Sequence, residues 1–487
     1  MLQILPPDDA KRLREFFVEA GYAEENLNKN RDIRELPSRR LRNLSRLMYC
    51  TEEPTLLNTL LRWFWVGVSV DMATATDCIP APVLALLMES RLLRQEGSAL
   101  ISEAMVLPAN GFLMAADHTA RGEAGDRDFV LWPNPTSKLL SRFTVRRPSR
   151  ATLDLGTGGG IEAIQAAHHS EKVVATDLNA RAINFATFNA RFNGVENVEF
   201  LTGDRFAPVT GRKFDLIVCN PPFFITPGNR YLFCDNPFEL DELCRLIVTE
   251  APKYLNEGGY FQMLFEWAET LGQTWQERIA EWVEHSNCDV WVMKGQTQNP
   301  SLYAQERIQE AFSTGGNDAE VFAAHMAYYR EKKVVAIHSG IIAMHRRSGR
   351  NWVYIQESAQ MPKEPFGESV QAIFAMREFL LAHSDNEQLL TEKPSISPNA
   401  RLEPIFGPSQ SGWEQKELRV RVTHGFPFSM GVQPQVADFM SQCNGTRTLA
   451  ELIQDLSSKV DVPPERVREE CLNIVRAMIE RGVMVCW

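Results

Sequence analysis

Up to about residue 130, apolar residues recur at the three- and four-residue spacing of an amphipathic helix. One such stripe consists of Leu13, Phe16, Phe17 and Ala20. Short apolar runs typical of strands follow at residues 98–107 and 111–118. Helices followed by a small hairpin predict a helical, winged-helix-like domain for residues 1–130.

From about Ser149, short apolar runs alternate with helical stretches. The strand-like runs are ATLDLG, KVVATDL, NVEFLTGD, FDLIVCNPP and GGYFQMLFEW. This alternation predicts a parallel sheet covered by helices on both faces. Two more runs, CDVWVMKG and IIAMHRRSGRNWVYIQ, extend the sheet, and the SGRN turn in the second predicts a hairpin. We therefore expect an α/β domain at residues 131–360, with a polar helical insertion near residues 297–336.

Beyond residue 360, a helical stretch leads into residues 391–412, which are rich in proline and serine. This composition predicts a helix and a linker over residues 361–410. A strand-like run and amphipathic helical stretches follow, and the last helix is predicted between Pro463 and Gly482. Residues 411–487 are therefore expected to form a small α+β module.

Length and charge limit the class of protein. A chain of 487 residues is too long to fold around a single hydrophobic core. Its formal net charge of -11 excludes attraction of nucleic acid by bulk charge. The basic segment from Lys29 to Arg46 fits both a solvated helix face and a local nucleic-acid surface. The cysteines lack metal-ligand spacing, and the longest apolar run, Ile79–Met88, is too short to span a bilayer. We expect a cytoplasmic protein without a metal or a membrane segment.

A glycine-rich segment, LDLGTGGG, lies between the first strand of the predicted sheet and a helix. Gly156, Gly158 and Gly160 follow the pattern G-x-G-x-G, whereas a dinucleotide site needs G-x-G-x-x-G, which argues against NAD. Glycines at this point let the backbone approach a ligand at the strand ends. Considered alone, they fit a tight turn equally well.

Acidic residues end the first three strands of this domain. Asp177 is placed to accept the hydroxyls of a ribose, Asp204 to accept from an adenine amino group, and Asp154 to face a ligand ammonium. Each acid alone is more typical of a helix cap or a solvated loop. Together with the glycines they predict a pocket for a nucleoside that carries a cationic tail.

The segment NPPFF, residues 220–224, follows the fourth strand, and its two prolines suit neither a helix nor a continued strand. In this order, the motifs resemble those of class I S-adenosylmethionine-dependent methyltransferases. LDLGTGGG is similar to their first motif, Asp177 to their ribose-binding acid and Asp204 to their adenine-contacting acid. IVCNPPF resembles the [DN]PP[FYW] signature of the branch that methylates nitrogen, and the resemblance, which covers residues 130–360, is strongest to the small-domain methyltransferases.

The resemblance implies a Rossmann-like sheet and S-adenosyl-L-methionine as the cofactor. The implied cofactor-binding residues are Asp154, Gly156, Thr157, Gly158, Gly160, Asp177, Leu178, Asp204 and Asn220. The implied catalytic residues are Asn220, Pro221, Pro222 and Phe223. The Asn220 side-chain oxygen and the Pro221 carbonyl would accept the two hydrogens of the target nitrogen, and the prolines would fix the direction of that carbonyl. Phe223 would stack on a planar base or amide.

The substrate class stays open between several alternatives. The branch includes adenine-N6 and guanine-N2 methyltransferases of nucleic acids and the glutamine-N5 methyltransferases of release factors. We expect an exocyclic amine of a nucleic-acid base, RNA before DNA, and as the alternative a protein glutamine, a peptide or a small molecule. The release-factor enzymes carry NPPY, and NPPF is often followed by histidine in ribosomal-RNA guanine methyltransferases, whereas this chain has Phe223 and Phe224. A non-catalytic cofactor-binding adaptor has no use for NPPF.

The C-terminal stretch that begins CNGTRTLAE at Cys443 resembles a PqqD-like peptide-binding module in its turn and helix spacing. A generic winged helix has a similar pattern. A peptide-binding tail and the acidic net charge both favour the protein or peptide alternative.

Overall fold

The computed structural model describes residues 1–29, 40–228, 232–310, 317–357, 364–410, 412–423 and 428–486. Its two compact units are Met1–Ser141 with Arg147–Ala359, and Arg142–Arg146 with Gln360–Trp487. The basic segment from Lys29 to Arg46 lies mostly outside the described residues. Among the helices of the described ranges, none has both the length and the apolar character needed to cross a bilayer.

The N-terminal part of the first unit contains short helices and two small antiparallel sheets. Its helices are α1 (Pro7–Glu19), α2 (Glu24–Lys29), α3 (Arg40–Cys50), α4 (Leu56–Leu61), α5 (Met72–Cys78), α6 (Ala81–Glu89) and α7 (Thr119–Glu123), with a π-helical turn at Arg62–Val66. Its strands are β1 (Val70–Asp71), β2 (Leu93–Glu96), β3 (Ala99–Ser102), β4 (Met105–Ala109) and β5 (Phe112–Ala116). From α4 to β3, the elements follow the order of a winged helix, and the first sheet has the order β1-β3-β2.

The rest of this unit is built around one large sheet. Its helices are α8 (Pro135–Phe143), α9 (Ile161–Ala166), α10 (Ala180–Phe192), α11 (Glu242–Glu250), α12 (Trp275–Val283), α13 (Pro300–Glu310) and α14 (Asp318–Glu331). Its strands are β6 (Ser149–Leu155), β7 (Ser170–Asp177), β8 (Val198–Thr202), β9 (Phe214–Cys219), β10 (Leu255–Thr270), β11 (Cys288–Gln298), β12 (Val334–Arg346) and β13 (Val353–Glu357). In the described residues the order is β13-β11-β12-β10-β9-β6-β7-β8. The Rossmann-like α/β sheet predicted from the sequence is confirmed.

The predicted hairpin at SGRN is wrong. Strand β12 pairs antiparallel with β10 on one side and with β11 on the other, so both of its hydrogen-bonding edges are occupied. The chain after Arg346 therefore crosses to the far side of β11, where β13 pairs parallel.

The N-terminal helices share a hydrophobic core with α10, the helix that follows β7. Phe17 of α1 lies against Phe192 of α10 in an edge-to-face contact with ring centroids 5.7 Å apart. Phe185 and Phe188 of α10 belong to the same buried cluster as Trp63, which lies in the π-helical turn. Aromatic packing of this kind ties the winged-helix-like segment to the helix that follows β7.

The second unit contains a bundle of helices and two small antiparallel sheets. Its helices are α15 (Gly367–Ala382), α16 (Asn386–Thr391), α17 (Pro434–Gln442), α18 (Leu449–Ser457) and α19 (Pro464–Glu480). Its strands are β14 (Pro394–Ile396), β15 (Ala400–Ser409), β16 (Gly412–Val422), β17 (Phe428–Gly431) and β18 (Met484–Cys486).

Part of the predicted linker forms strands in this second unit. Strand β14 pairs antiparallel with β18, and β15 pairs antiparallel with β16. The sheet order β15-β16-β17 places β15 at an edge, where Pro404 and Pro408 remove no inter-strand hydrogen bond that an inner strand would need. Proline content therefore indicated a linker where the structure has an edge strand.

Candidate active site

The carboxyl ends of three adjacent parallel strands meet at one edge of the large sheet. Leu155, the last residue of β6, pairs with Thr176 of β7 on one side and with Cys219 of β9 on the other. The glycine segment and the NPPFF loop therefore begin side by side. The strand order also reverses between β7 and β9, and ligands of open α/β sheets bind at such a point.

The glycines of the segment serve two different purposes. Gly158 has a φ of +53°, and a Cβ there would meet no atom of the described residues within 4 Å, which leave the space above its backbone open. Gly160 has a φ of +90°, and a Cβ there would lie 2.9 Å from the Cβ of Ala186 in α10. Gly158 thus leaves room for a ligand, whereas Gly160 lets α9 begin close to α10.

Asp154 lies under the glycine segment and holds it in place. Its Oδ2 accepts hydrogen bonds from the Thr157 hydroxyl at 2.5 Å and from the Ala163 N–H at 2.9 Å. The side chain is almost fully buried, and this burial raises the pKa of Asp154 to about 7. The carboxyl group therefore holds the glycine segment, through Thr157, and the first turn of α9, through Ala163.

Asp177 connects the end of β7 to the glycine segment. Its Oδ2 accepts from the Gly158 N–H and its Oδ1 from the Asn179 N–H, both at 2.8 Å. Desolvation raises the pKa of Asp177, and the two backbone hydrogen bonds act against that rise. A carboxylate oxygen has a second lone pair, so hydroxyl groups of a ligand can still donate to it. Leu178, directly after it, exposes 58% of its surface.

Asp204 lies beyond the end of β8 on the exposed rim. Its carboxylate forms an ion pair with Arg205 at 3.3 Å. The neighbouring Gly203 donates its N–H to the Asp177 carbonyl at 2.9 Å. The third predicted acid thus lies on the loop next to Asp177.

The NPPFF loop has some carbonyl groups occupied and others open. The Asn220 Nδ2 lies 3.4 Å from the Thr136 Oγ1 and donates to it. Asn236 donates its Nδ2 to the Pro222 carbonyl at 2.8 Å, and Phe224 donates its N–H to the Cys234 carbonyl at 3.1 Å. Within the described part of the chain, no group donates to the Asn220 Oδ1 or to the Pro221 carbonyl. The two acceptors that the sequence assigned to the target nitrogen are therefore open.

Several residues at this edge were not predicted. Thr136 orients the Asn220 amide, and Asn236 lies 14 positions beyond the Pro222 carbonyl that it holds. Asn189 of α10 bonds both backbone groups of Ala115 in β5 and the Gly159 carbonyl, at 2.7 to 3.0 Å. The PNPTS segment at the start of α8 is a recognisable helix-start signal, but the partners of Asn189 and Asn236 depend on the tertiary fold.

Among the described residues, no group of three or more His, Cys, Asp or Glu side chains is arranged to hold a metal ion. The edge of the sheet instead offers an open backbone over Gly158, carboxylates and unpaired carbonyl oxygens.

Residues 134–281 match the family described as methyltransferase small domain, and residues 371–486 match a domain of unknown function (DUF7782). A Methanocaldococcus jannaschii protein, provisionally named a protein N5-glutamine methyltransferase, is 34% identical over 28% of this chain and 71% of its own length. A release factor glutamine methyltransferase of Xylella fastidiosa is 36% identical over 28% of this chain and 56% of its own length. A ribosomal RNA small subunit methyltransferase C of Alcanivorax borkumensis is 32% identical over 28% of this chain and 42% of its own length. The chain thus spans about half the length of the latter two relatives, and the PqqD-like resemblance of the C-terminal stretch stays a prediction.

Proposed function

Because the chain belongs to the small-domain branch of the class I S-adenosylmethionine-dependent methyltransferases, we propose that it methylates a planar amide nitrogen, that of a protein glutamine side chain. The observation that carries this proposal is the open pair of acceptors at Asn220 and Pro221, next to the glycine segment. An amide nitrogen carries two hydrogens that this pair can accept.

The residues at the sheet edge fit S-adenosylmethionine. The nucleoside part of this cofactor has to lie close to the protein backbone, and Gly156 and Gly158 leave the space above their backbone open. The Asp177 carboxylate would accept from the ribose hydroxyls and the Asp204 carboxylate from the adenine amino group, while Leu178 would cover the apolar face of the base. Asp154 would act indirectly: its hydrogen bond from Thr157 holds the glycine segment that would bind the cofactor.

When bound, S-adenosylmethionine supplies an electrophilic methyl group on a sulfonium. The protein then has to orient the nitrogen, whose lone pair is delocalised into the amide. The Asn220 Oδ1 and the Pro221 carbonyl would each accept one N–H, so that the lone pair points toward the methyl group. As the new N–C bond forms and the S–C bond breaks, the nitrogen would release one of these two hydrogens as a proton to water. Thr136 fixes the orientation of the Asn220 amide by accepting from its Nδ2. Pro222 stiffens the loop, and Phe223 offers a flat face to the acceptor.

Two further observations support a protein acceptor. The relatives from M. jannaschii and X. fastidiosa are named for glutamine methylation. In helix-turn-helix proteins the second helix of the motif reads the major groove, and α6 holds that place here. Helix α6 contains no Lys or Arg, and its exposed positions include Ala81, Ala85 and Glu89. With a net charge of -11, this surface suits a nucleic acid poorly.

A nucleic-acid base, the first expectation from the sequence, is the second candidate. It is supported by the relative named for ribosomal RNA methylation and by Phe223, on which a base can stack. The same pair of acceptors would bind its exocyclic amine.

Labelled S-adenosylmethionine incubated with the protein and fractionated cell extract distinguishes these candidates. We expect label in the protein fraction and, by mass spectrometry, a single methyl group on a glutamine side chain. Label in RNA or DNA alone would replace this proposal by the second candidate. Binding of the cofactor without any labelled fraction would indicate an adaptor instead of an enzyme.

A further inference from the structure

The helical insertion between β11 and β12, for which the sequence indicates no role, contacts the NPPFF loop. Tyr303 of α13 and Tyr329 of α14 are both fully buried beside Ile225, the residue that follows the loop. The Tyr303 hydroxyl accepts from the Ile225 N–H at 3.1 Å, and the Tyr329 hydroxyl donates to the Ile225 carbonyl at 2.7 Å. Two helices thus hold both backbone groups of one residue.

A carboxyl group from the sheet orients the Tyr303 hydroxyl. Glu266 lies in β10, three residues beyond Met263. Met263 pairs with Cys219, the last residue of β9. The Tyr303 hydroxyl donates its hydrogen to Glu266 Oε2, so that an oxygen lone pair is left for the Ile225 N–H. Only 7% of the Glu266 surface is exposed, and this burial raises the pKa of its carboxyl to about 7. A buried carboxyl is costly unless it is hydrogen-bonded, so the pair constrains the hydroxyl strongly.

Helix α13 also reaches the loop through Arg307, one turn beyond Tyr303. The Arg307 guanidinium lies 4.2 Å from the centre of the Phe224 ring and 4.9 Å from that of the Tyr303 ring. Phe224 in turn contacts Phe223 edge-to-face, with ring centroids 5.7 Å apart. The insertion therefore contacts Phe224, the neighbour of Phe223, whose ring is the proposed stacking face.

These contacts complete the anchoring of the loop. Asn236 and Cys234 hold the Pro222 carbonyl and the Phe224 N–H, and the two tyrosines hold Ile225. The three residues Pro222, Phe224 and Ile225 that follow the open Pro221 carbonyl are thus each held by hydrogen bonds. Misplacing a substrate-orienting group by about 1 Å can cost a factor on the order of 100 in rate.

We infer that Tyr303, oriented by Glu266, is a positioning residue for methyl transfer, through which the insertion fixes the loop that binds the target nitrogen. This inference rests on the proposed function, because a positioning role requires a reaction. Glu266 of β10 lies on the opposite side of β9 from β6 and β7, the strands that lead into the glycine segment and Asp177.

Tyr303→Phe in the full chain tests the inference, and Tyr328→Phe is a matched control. The Tyr328 hydroxyl also accepts a backbone N–H, from Leu240 at 2.8 Å, but among the described residues it makes no hydrogen bond to the NPPFF loop or to Ile225. Both variants lose one hydroxyl on the same insertion. We expect Tyr303→Phe to lower kcat by about 10- to 100-fold, with KM and Kd for S-adenosylmethionine within about twofold of wild type. Tyr328→Phe should keep kcat within about twofold.

Hydrogen exchange gives a readout that needs no methyl acceptor. In Tyr303→Phe, peptides covering residues 220–226 should exchange faster than in wild type, whereas in Tyr328→Phe they should not. If Tyr303→Phe does not fold, Glu266→Leu serves as the second variant, because it removes the acceptor of the tyrosine hydroxyl and should show the loss in kcat. Glu266→Gln is its control, since it keeps an acceptor and should retain a kcat within about fivefold of wild type.

The outcomes separate the inference from the proposed function. If wild type labels no acceptor, the proposed function fails, whatever the variants do. If wild type is active and Tyr303→Phe has the same kcat as Tyr328→Phe, or the loop exchanges equally in both, Tyr303 is not a positioning residue. The kinetics are measured on whichever acceptor wild type labels.

Discussion

Alanine substitutions at three glycines separate backbone strain, steric clash and loss of ligand space. Gly158, Gly160 and Gly194 all have positive φ, with values of +53°, +90° and +70°. Alanine at any of them is expected to cost about 1–2 kcal/mol from backbone strain alone. The three positions differ in what a new Cβ would meet.

Gly194 lies two residues beyond the end of α10, and a Cβ there would meet no atom of the described chain within 4 Å, so only strain is expected. At Gly160 the Cβ would lie 2.9 Å from Ala186 Cβ and 3.1 Å from its Cα, and overpacking adds about 1–3 kcal/mol. Gly160→Ala should therefore destabilise the protein by about 2–5 kcal/mol. Gly158→Ala should match Gly194→Ala in stability, because its surroundings are equally open.

Binding of the cofactor distinguishes the two open positions. If the space above Gly158 receives S-adenosylmethionine, Gly158→Ala should weaken its binding at least tenfold, whereas Gly194→Ala should leave Kd unchanged. Urea denaturation gives the stabilities and isothermal titration calorimetry gives Kd on the same samples. Equal cofactor affinity in the two folded variants would show that the ligand does not lie over this segment. Equal stability of Gly160→Ala and Gly194→Ala would refute the steric argument.

Two further predictions concern the carboxyl groups. Asp177→Ala removes the proposed acceptor of the ribose hydroxyls and should raise the calorimetric Kd for S-adenosylmethionine about 10- to 100-fold, so an unchanged Kd in a folded variant would place the cofactor elsewhere. The pKa of Glu266 is raised from 4.5 to about 7 by burial, so between these pH values the unfolded chain loses a proton that the folded protein keeps. The free energy of unfolding should therefore fall as pH rises through this window, by on the order of 3 kcal/mol from this group, and Glu266→Gln should lose correspondingly less stability between pH 4.5 and pH 7 in urea denaturation. Identical pH dependence in the two proteins would contradict the assignment.

The features that the sequence predicted well are local ones. The glycine segment, the acids at the ends of β6 and β7 and just beyond β8, and the NPPFF loop each lie at a strand end that short-range periodicity locates. Parallel strands align their carboxyl ends, so predicting the strands was enough to bring these residues together. The hairpin at SGRN was mispredicted because turn chemistry does not show that β10 and β11 occupy both edges of β12.

The missed residues make contacts over long stretches of chain. Tyr303 is separated from Ile225 by 78 positions, and Asn189 from Ala115 by 74. Nothing in the local sequence around a tyrosine on a polar helical insertion indicates that its hydroxyl meets a particular backbone N–H. For the same reason, the proline and serine content of β15 indicated a linker, because its pairing with β16 cannot be predicted from the local sequence.

In the proposed mechanism, Asn220 orients the nitrogen that receives the methyl group. Single-turnover kinetics of Asn220→Ala, with the Kd for S-adenosylmethionine measured on the same sample, tests it most directly. Since the side chain would act on the acceptor and not on the cofactor, Kd should stay within about twofold while the rate of methyl transfer falls about 100-fold or more. Phe223→Ala should instead mainly weaken binding of the acceptor, because stacking also acts in the ground state. Methyl transfer by Asn220→Ala at the wild-type rate would contradict the account and leave NPPFF as a structural turn.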